Sequence, residues 1–159
     1  MKLELLLDEL HRGEHRLEHD LTAVSARHHA EHEIRYIARD LAAWSRDHLD
    51  RLERVGPQHG AGTHRLGSLR SITAPLQRQV SDLLARRPEP GIVLLMDLRH
   101  LHRVSAGVSL DWELLAQAAQ ALRKPDLLEL AQTCHPQTLR QLRWTNAMLK
   151  VLSPQIIAS

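Results

Sequence analysis

Residues 2–24 read KLELLLDELHRGEHRLEHDLTAV, and this stretch decides the fold class. One set of positions recurs at alternating spacings of four and three residues, which places its members on a single face of an α-helix. All but one of them are apolar, and the exception is Glu14. The set comprises Leu3, Leu7, Leu10, Glu14, Leu17, Leu21 and Val24. Such a face is typical of a helix that packs against other helices, and it predicts a helical bundle.

The same spacing continues over residues 27–55 and predicts a second helix. Its inward positions are Ile34, Ile37, Leu41, Trp44, His48, Leu52 and Val55. Neither Gly nor Pro separates this segment from the first helix, so one uninterrupted helix over residues 2–55 is the alternative. Ser25 is the candidate N-cap if there are two helices.

A glycine-rich loop follows the second helix. The stretch GPQHGAGTHRLG, residues 56–67, holds four Gly and one Pro, so we expect a flexible loop over 56–65. Residues 66–90 then read as a crossover helix and linker. Pro75 predicts a kink or a late start in that helix.

Two more long helices are predicted in the C-terminal part of the chain. The first carries a regular apolar face from Ile92 to Leu122, with Gly107 as a weak point where Ser109 could restart the helix. The second covers about residues 126–151 and contains Pro136, which should bend it. Residues 1–159 are therefore expected to form a single all-α domain. Its predicted architecture is an antiparallel four-helix bundle with an extra helix in the long crossover connection.

The composition excludes several functional classes. The core must be filled by Leu and Ala, because the chain has no Phe, one Tyr and three Trp. The net charge is only +2 and the basic residues form no dense stripe, so nucleic-acid binding is not expected. The single cysteine, Cys134, allows no intramolecular disulfide. We find neither a signal-peptide pattern nor an apolar run long enough for a membrane span, so we expect a cytoplasmic protein.

Four polar residues are candidate metal ligands in the bundle core. Glu14 and His48 occupy inward positions on the first two helices, and Glu113 and His135 lie near the inward phase of the last two. A carboxylate that faces a bundle core is costly unless it is paired or bound. Carboxylates and imidazoles from four helices would form a mixed shell suited to iron, manganese or zinc. The structural alternative is a set of core-edge polar groups that satisfy one another.

The chain is also rich in histidine, with 12 residues of this type. His11, His15 and His19 repeat every four residues, and His28 and His32 do so at the next hairpin. Pairs at this spacing can chelate one metal ion. A solvated helix face is the alternative interpretation.

Two helical hairpins joined by a long crossover resemble the ferritin-like superfamily. The stretches that carry the resemblance are GEHRLEHDL (13–21), RHHAEHEI (27–34) and DWELLAQAAQAL (111–122), and they look most like its small bacterial members of uncharacterised function. The di-iron members of that family use a Glu on two helices and a Glu-x-x-His motif on the other two. Glu14 and Glu113 match the lone carboxylates, but no Glu-x-x-His motif occurs in this chain. The resemblance therefore implies a relative that keeps the fold and has a degenerate or absent di-iron centre, which argues against an enzyme.

Two other functions stay open at this point. A hemerythrin-like bundle that binds iron and oxygen would use the spacings His29-x-x-x-Glu33 and His15-x-x-x-His19. A non-catalytic interaction protein would dimerise or dock a partner. Its docking face would carry the basic residues of the last helical hairpin, namely Arg123, Lys124, Arg140, Arg143 and Lys150.

Overall fold

The computed structural model describes residues 2–62 and 89–159, and within those ranges the chain is helical without any strand. The all-α prediction is confirmed. The described helices are α1 (Lys2–Arg27), α2 (His32–Val55), a short 3₁₀ helix (Gly56–His59), α3 (Pro90–Ala121) and α4 (Pro125–Ile157). None of them combines the length and the apolar character that a bilayer crossing requires.

The turn between α1 and α2 settles the choice between one helix and two. The chain leaves α1 after Arg27 and re-enters a helix at His32. Ser25 is not the N-cap that we predicted, because it lies inside α1 and its hydroxyl donates to the carbonyl of Arg35, 2.7 Å away. Glu31 holds the N-cap position instead, without a side-chain hydrogen bond.

The inward face predicted for α1 is the one that is buried. Leu7, Leu10, Leu17, Leu21 and Val24 are all buried, together with Glu14, and Leu3 packs against the same core from its edge. The repeat predicts this face well because helix phase depends only on the spacing of residues along one continuous helix.

Helix α3 is continuous where an interruption was predicted, and helix α4 runs further than predicted. Helix α3 continues through Gly107 without a restart, because a single interior glycine costs only about 1 kcal/mol and the apolar face on both sides stays packed. Helix α4 extends to Ile157 and contains both Pro136 and Pro154. Pro136 was expected to bend this helix, and the helix continues past it.

The four long helices share one hydrophobic core. Helix α1 packs along α2 and α3, and α4 packs along α3 and α2, whereas the described backbones of the diagonal pairs stay further apart and α2 meets α3 through the side chains of His48 and Trp112. Contacts between α1 and α3 run in opposite chain directions. Arg27, at the end of α1, binds Asp97 near the start of α3, and Glu14 bonds Trp112 further along.

Gly13 lets α3 approach α1 beside the polar core. A Cβ atom at this position would lie 3.0 Å from Cγ2 of Val108, closer than ordinary van der Waals contact. The weak helix former that stands out in the sequence of α1 is therefore explained by packing.

Part of the predicted connection can be compared with the structure. Residues 56–59 form the 3₁₀ helix and residues 60–62 a turn, with Gly60 and Gly62 at φ +82° and +91°, where glycine is favoured. The rest of the predicted loop and the crossover helix with its Pro75 lie outside the described residues.

Candidate functional site

A polar cluster lies in the middle of the core, where α1, α2 and α3 meet. Glu14 and His48 are both 0% exposed, which confirms that both face inward. The Oε1 atom of Glu14 accepts two hydrogen bonds, one from Nδ1 of His48 at 2.8 Å and one from Nε1 of Trp112 at 2.7 Å. One carboxylate oxygen thus ties together three helices.

His48 has an oxygen against each of its ring nitrogens. Nε2 lies 2.7 Å from Oε1 of Gln137 on α4, on the opposite side of the ring from Glu14. Nδ1 faces a carboxylate oxygen and donates to it. With the amide oxygen of Gln137 turned toward Nε2, this nitrogen donates as well, and in that arrangement the ring is the imidazolium. The ring also meets the indole of Trp112 edge-on, with centroids 5.8 Å apart and planes at 83°.

The electrostatics of the pair favour that charge. Burial works to lower the pKa of His48, but the hydrogen bond and negative charge of Glu14 outweigh it, with a further hydrogen bond to Gln137. The pKa of His48 is therefore raised above its ordinary value. The cluster is a buried ion pair that is hydrogen-bonded on both sides.

The second oxygen of Glu14 is different. Oε2 is buried and has no hydrogen-bond partner among the described residues. A buried carboxylate oxygen without a partner is costly and is a natural place for a water molecule or a cation.

Cys134 adds no nucleophile to this region. Its thiol is fully buried, and burial together with the negative charge of Glu14 raises its pKa to about 12. The nucleophile in cysteine chemistry is the thiolate, so this side chain is inert at neutral pH.

Glu113 does not join the core, which corrects our expectation of an inward phase. Its side chain is 55% exposed, and its Oε2 lies 3.8 Å from Nδ1 of His135. The Nε2 atom of His135 is 2.9 Å from the hydroxyl of Ser109. Consecutive residues on a helix point about 100° apart, so Trp112 takes the inward position and Glu113 is turned outward.

The four predicted metal ligands therefore form two pairs on different parts of the bundle. Glu14 and His48 lie in the core, and Glu113 and His135 lie at its surface. In residues 2–62 and 89–159, no three His, Cys, Asp or Glu side chains are grouped so that they could hold a metal ion.

Comparisons with known proteins do not assign the chain to a family. No protein-family model matches it, and neither a curated protein nor a solved structure is significantly similar to it. Its function is therefore inferred from its own residues and their geometry.

Sequence reasoning missed the polar partners that α4 contributes. Gln137 binds His48, and one turn later the buried Gln141 donates from Nε2 to the carbonyl of Leu41 and the hydroxyl of Ser45, each at 2.9 Å. The available signal was the inward face of α4, where Thr138, Gln141 and Thr145 follow Cys134 at helical spacing. A run of polar residues at core positions predicts a polar layer.

His28 and His100 pair with acids from neighbouring elements instead of with other histidines. Asp97 receives hydrogen bonds from Nε2 of His28 at 2.7 Å and from Nη1 of Arg27 at 2.6 Å. Asp20 is 2.8 Å from Nε2 of His100 in the same way. These contacts fasten α1, or the turn after it, to α3.

The residues of the hemerythrin-like hypothesis lie outside the core. His15, His19, His29 and Glu33 are all exposed, the first two on α1, His29 in the turn after it and Glu33 at the start of α2. The basic residues proposed for partner docking, Arg123, Lys124, Arg140, Arg143 and Lys150, are exposed as well.

Proposed function

We propose that this protein is a ferritin-like four-helix bundle without a working di-iron centre, and that it acts by associating with proteins. A buried ion pair occupies the place where the family's metal centre would be. This proposal joins the fold that the resemblance implies to the interaction function that the sequence left open.

The direction of the helix contacts supports the ferritin-like topology. His48 on α2 meets Gln137 on α4, while Leu41 meets Gln141, so these two helices run in opposite directions. The contacts between α1 and α3 also run oppositely. With each hairpin antiparallel, α2 and α3 then point the same way. Parallel second and third helices are what a ferritin-like bundle has, so this direction supports the proposed topology.

The observation that carries the functional proposal is the occupation of both ring nitrogens of His48. A histidine that binds a metal ion must offer it an unprotonated nitrogen. Here Nδ1 donates to Glu14 and Nε2 to Gln137. The donor from Trp112 uses a further lone pair of the same carboxylate. Oε2 of Glu14 is the buried atom of this network that has no hydrogen-bond partner among the described residues.

That one atom supports a second candidate, a single metal ion in the core. Oε2 of Glu14 is buried without a partner among the described residues, and a cation beside it would remove the cost of burying it. His48 would have to release one of its two hydrogen bonds to contribute a nitrogen. Such an oxygen and nitrogen shell would suit iron, manganese or zinc.

Metal reconstitution separates these candidates. Protein purified without a tag is loaded with ferrous, manganous or zinc ions, and metal content and Tm are measured before and after gel filtration. We expect neither stoichiometric metal nor a rise in Tm at saturating metal, because a ligand that binds the folded state would stabilise it. Glu14→Gln and the exposed Glu113→Gln are the matched variants. Stoichiometric metal that is lost in Glu14→Gln and kept in Glu113→Gln would replace the proposal with the second candidate.

A further inference from the structure

Four exposed cations lie on the outer side of the hairpin that α3 and α4 form. They are Arg99 and Arg103 on α3 and Arg143 and Lys150 on α4, and we call them the basic surface. None of them forms an ion pair with the described part of the chain. The hairpin of α1 and α2 differs, because most of its arginines contact carboxylates.

A contact between the two helices places these cations at one level of the bundle. Nδ1 of His102 on α3 lies 3.0 Å from Oγ1 of Thr145 on α4. Both arginines that α3 contributes to the basic surface lie within about one helical turn of His102 along α3. Both cations from α4 lie within about one and a half turns of Thr145 along α4. The four charges therefore flank one stretch of the groove between the helices.

Two histidines fix the direction in which the arginines of α3 point. His100 binds Asp20 of α1, whereas His102 faces α4. Arg99 and Arg103 lie between these two directions on the helical circle, on the side away from the core. Both side chains are exposed, so they point outward from the bundle and can reach a ligand in the groove.

The chain offers no negative charge to balance this surface locally. Residues 98–110 of α3 and 130–159 of α4 contain neither Asp nor Glu. Residues 63–88 contain five Arg and a single acid, Asp82, so this segment would add positive charge. We therefore expect the complementary negative charge to come from another molecule.

Exposed aliphatic side chains accompany the cations on α3. Met96 is 43% exposed, Leu110 is 65% exposed and Leu114 is 56% exposed. Their spacing from Arg99 and Arg103 places them on the same outer face of the helix. Met and Arg are enriched at protein–protein interfaces, so this mixture is typical of a surface that binds protein.

Nucleic acid fits the basic surface less well. Proteins that bind single strands commonly stack the bases on aromatic side chains. The aromatic residues of α3 and α4 are Trp112 and Trp144, and both pack in or against the core. The aliphatic side chains beside the cations would also find no apolar partner on a phosphate backbone.

We propose that the basic surface binds an acidic amphipathic helix of a partner protein. The helix lies along the groove between α3 and α4, with its carboxylates against the four cations and its apolar side against Met96 and Leu110. Arginine suits this role because its guanidinium can hold a carboxylate through two hydrogen bonds. This inference rests on the proposed function, and it names the chemistry of the protein that is bound.

The test is fluorescence anisotropy of the full chain with a labelled model peptide. The peptide is a helix with Glu on one side and Leu on the other, and the control peptide has Gln in place of each Glu. We expect micromolar binding of the Glu peptide that weakens as salt is added, because the exposed charges are screened. The Gln peptide should bind at least about tenfold more weakly.

Charge reversal locates the binding surface. The double variant Arg103→Glu, Arg143→Glu should bind the Glu peptide about tenfold or more weakly than wild type does. It should bind a peptide with Lys in place of each Glu more tightly than wild type does. Arg123→Glu is the matched control, because this exposed arginine lies about 30 Å along the hairpin from Arg103, beyond the screening length. Circular dichroism of every variant checks that the helices are intact.

Four results would overturn the inference. One is a Glu peptide that binds no more tightly than the Gln peptide, and another is binding that the double variant does not weaken. The third is tighter binding of a thymidine oligonucleotide or of phosphatidylserine vesicles than of the Glu peptide. The fourth is a wild-type dimer in sedimentation velocity that the double variant dissociates, since a second copy would then cover the surface.

Metal content is measured separately from peptide binding. Failure to bind the Glu peptide would refute the acidic partner and leave the metal-free bundle standing. Stoichiometric core metal in a chain that still binds the Glu peptide would refute only the metal-free function.

Discussion

The replacement of Glu14 by alanine tests the interpretation of the core most directly. Among the described residues, Glu14 is the only hydrogen-bond acceptor for Nδ1 of His48 and for Nε1 of Trp112, and the variant removes it. Both donors are fully buried, so neither can turn to bulk water. The charged ring of His48 also loses its counter-ion.

The expected magnitude follows from these two losses. A buried donor without a partner costs about 1–3 kcal/mol, and removal of one member of a buried ion pair costs about 3–5 kcal/mol. The two figures overlap, because one of the two donors belongs to the ion pair. We expect Glu14→Ala to lower the free energy of unfolding by about 3–5 kcal/mol, a large part of the roughly 5–15 kcal/mol of an ordinary domain.

Glu14→Gln divides this loss into charge and hydrogen bonding. The amide keeps an acceptor oxygen but carries no charge, so each of the two hydrogen bonds weakens by about 1 kcal/mol. We expect a loss of about 1–2 kcal/mol. Glu113→Ala is the control, since this carboxylate is exposed and its removal should change the free energy by no more than about 0.5 kcal/mol.

The pH dependence gives a second measurement of the same pair. The pKa of His48 is raised in the folded state above its unfolded value of 6.5, because Glu14 stabilises the charged ring despite its burial. The folded chain therefore binds the proton more tightly. The pair's contribution is complete below the unfolded pKa and is lost as the pH rises through the folded one. The difference between wild type and Glu14→Gln should thus be larger at pH 6 than at pH 9.

The assay is urea denaturation, followed by circular dichroism at several pH values, with equal m-values required for a valid comparison. If Glu14→Ala is no more costly than Glu113→Ala, the carboxylate does not hold the core together. A difference between wild type and Glu14→Gln that grows with pH would show that His48 is neutral in the folded protein, and the argument from its two occupied nitrogens would fail.

Two further predictions concern packing and surface charge. Leu17→Ala and Leu41→Ala should each cost about 2–5 kcal/mol in the same denaturation assay, because both side chains are almost completely buried; near-neutral effects at both would contradict the core described above. Asp97→Asn should destabilise the protein by about 1 kcal/mol at neutral pH. Burial raises the pKa of Asp97, but hydrogen bonds from His28 and Arg27 outweigh it and lower that pKa. The stabilisation from this ion pair is therefore present above the unfolded pKa of 3.8 and is lost as the pH falls through the folded pKa. If wild type stayed more stable than Asp97→Asn throughout an acid titration, that result would count against the ion pair.

The helices themselves could be predicted because their signal is local. The inward face of α1, including Glu14, follows from spacing within one segment, and so does the inward position of His48 on α2. The same reasoning failed at Glu113, which lies one position from the inward Trp112. An error of one residue rotates a side chain by about 100°, and sequence phase is least certain at the edge of a face.

The candidate site could be predicted only in part. Glu14 and His48 were expected in the core, and bonding between such polar groups was the structural alternative to a metal site, but the sequence did not indicate that Trp112 and Gln137 would complete the network. Gln137 is 89 residues from His48 along the chain. A contact at such a separation depends on how far each helix slides along its neighbour, and no spacing within one helix contains that information.

The sequence by itself determined that this chain is helical and which face of each helix is apolar, because both follow from propensity and periodicity within short segments. Only the tertiary structure decided the partners. It paired Glu14 with His48 instead of with Glu113, and it set Gly13 against Val108, where the absence of a side chain admits α3. These choices are made when helices dock. Because a buried charge without a partner is costly, the helices are most stable in the register that brings each buried polar side chain against another.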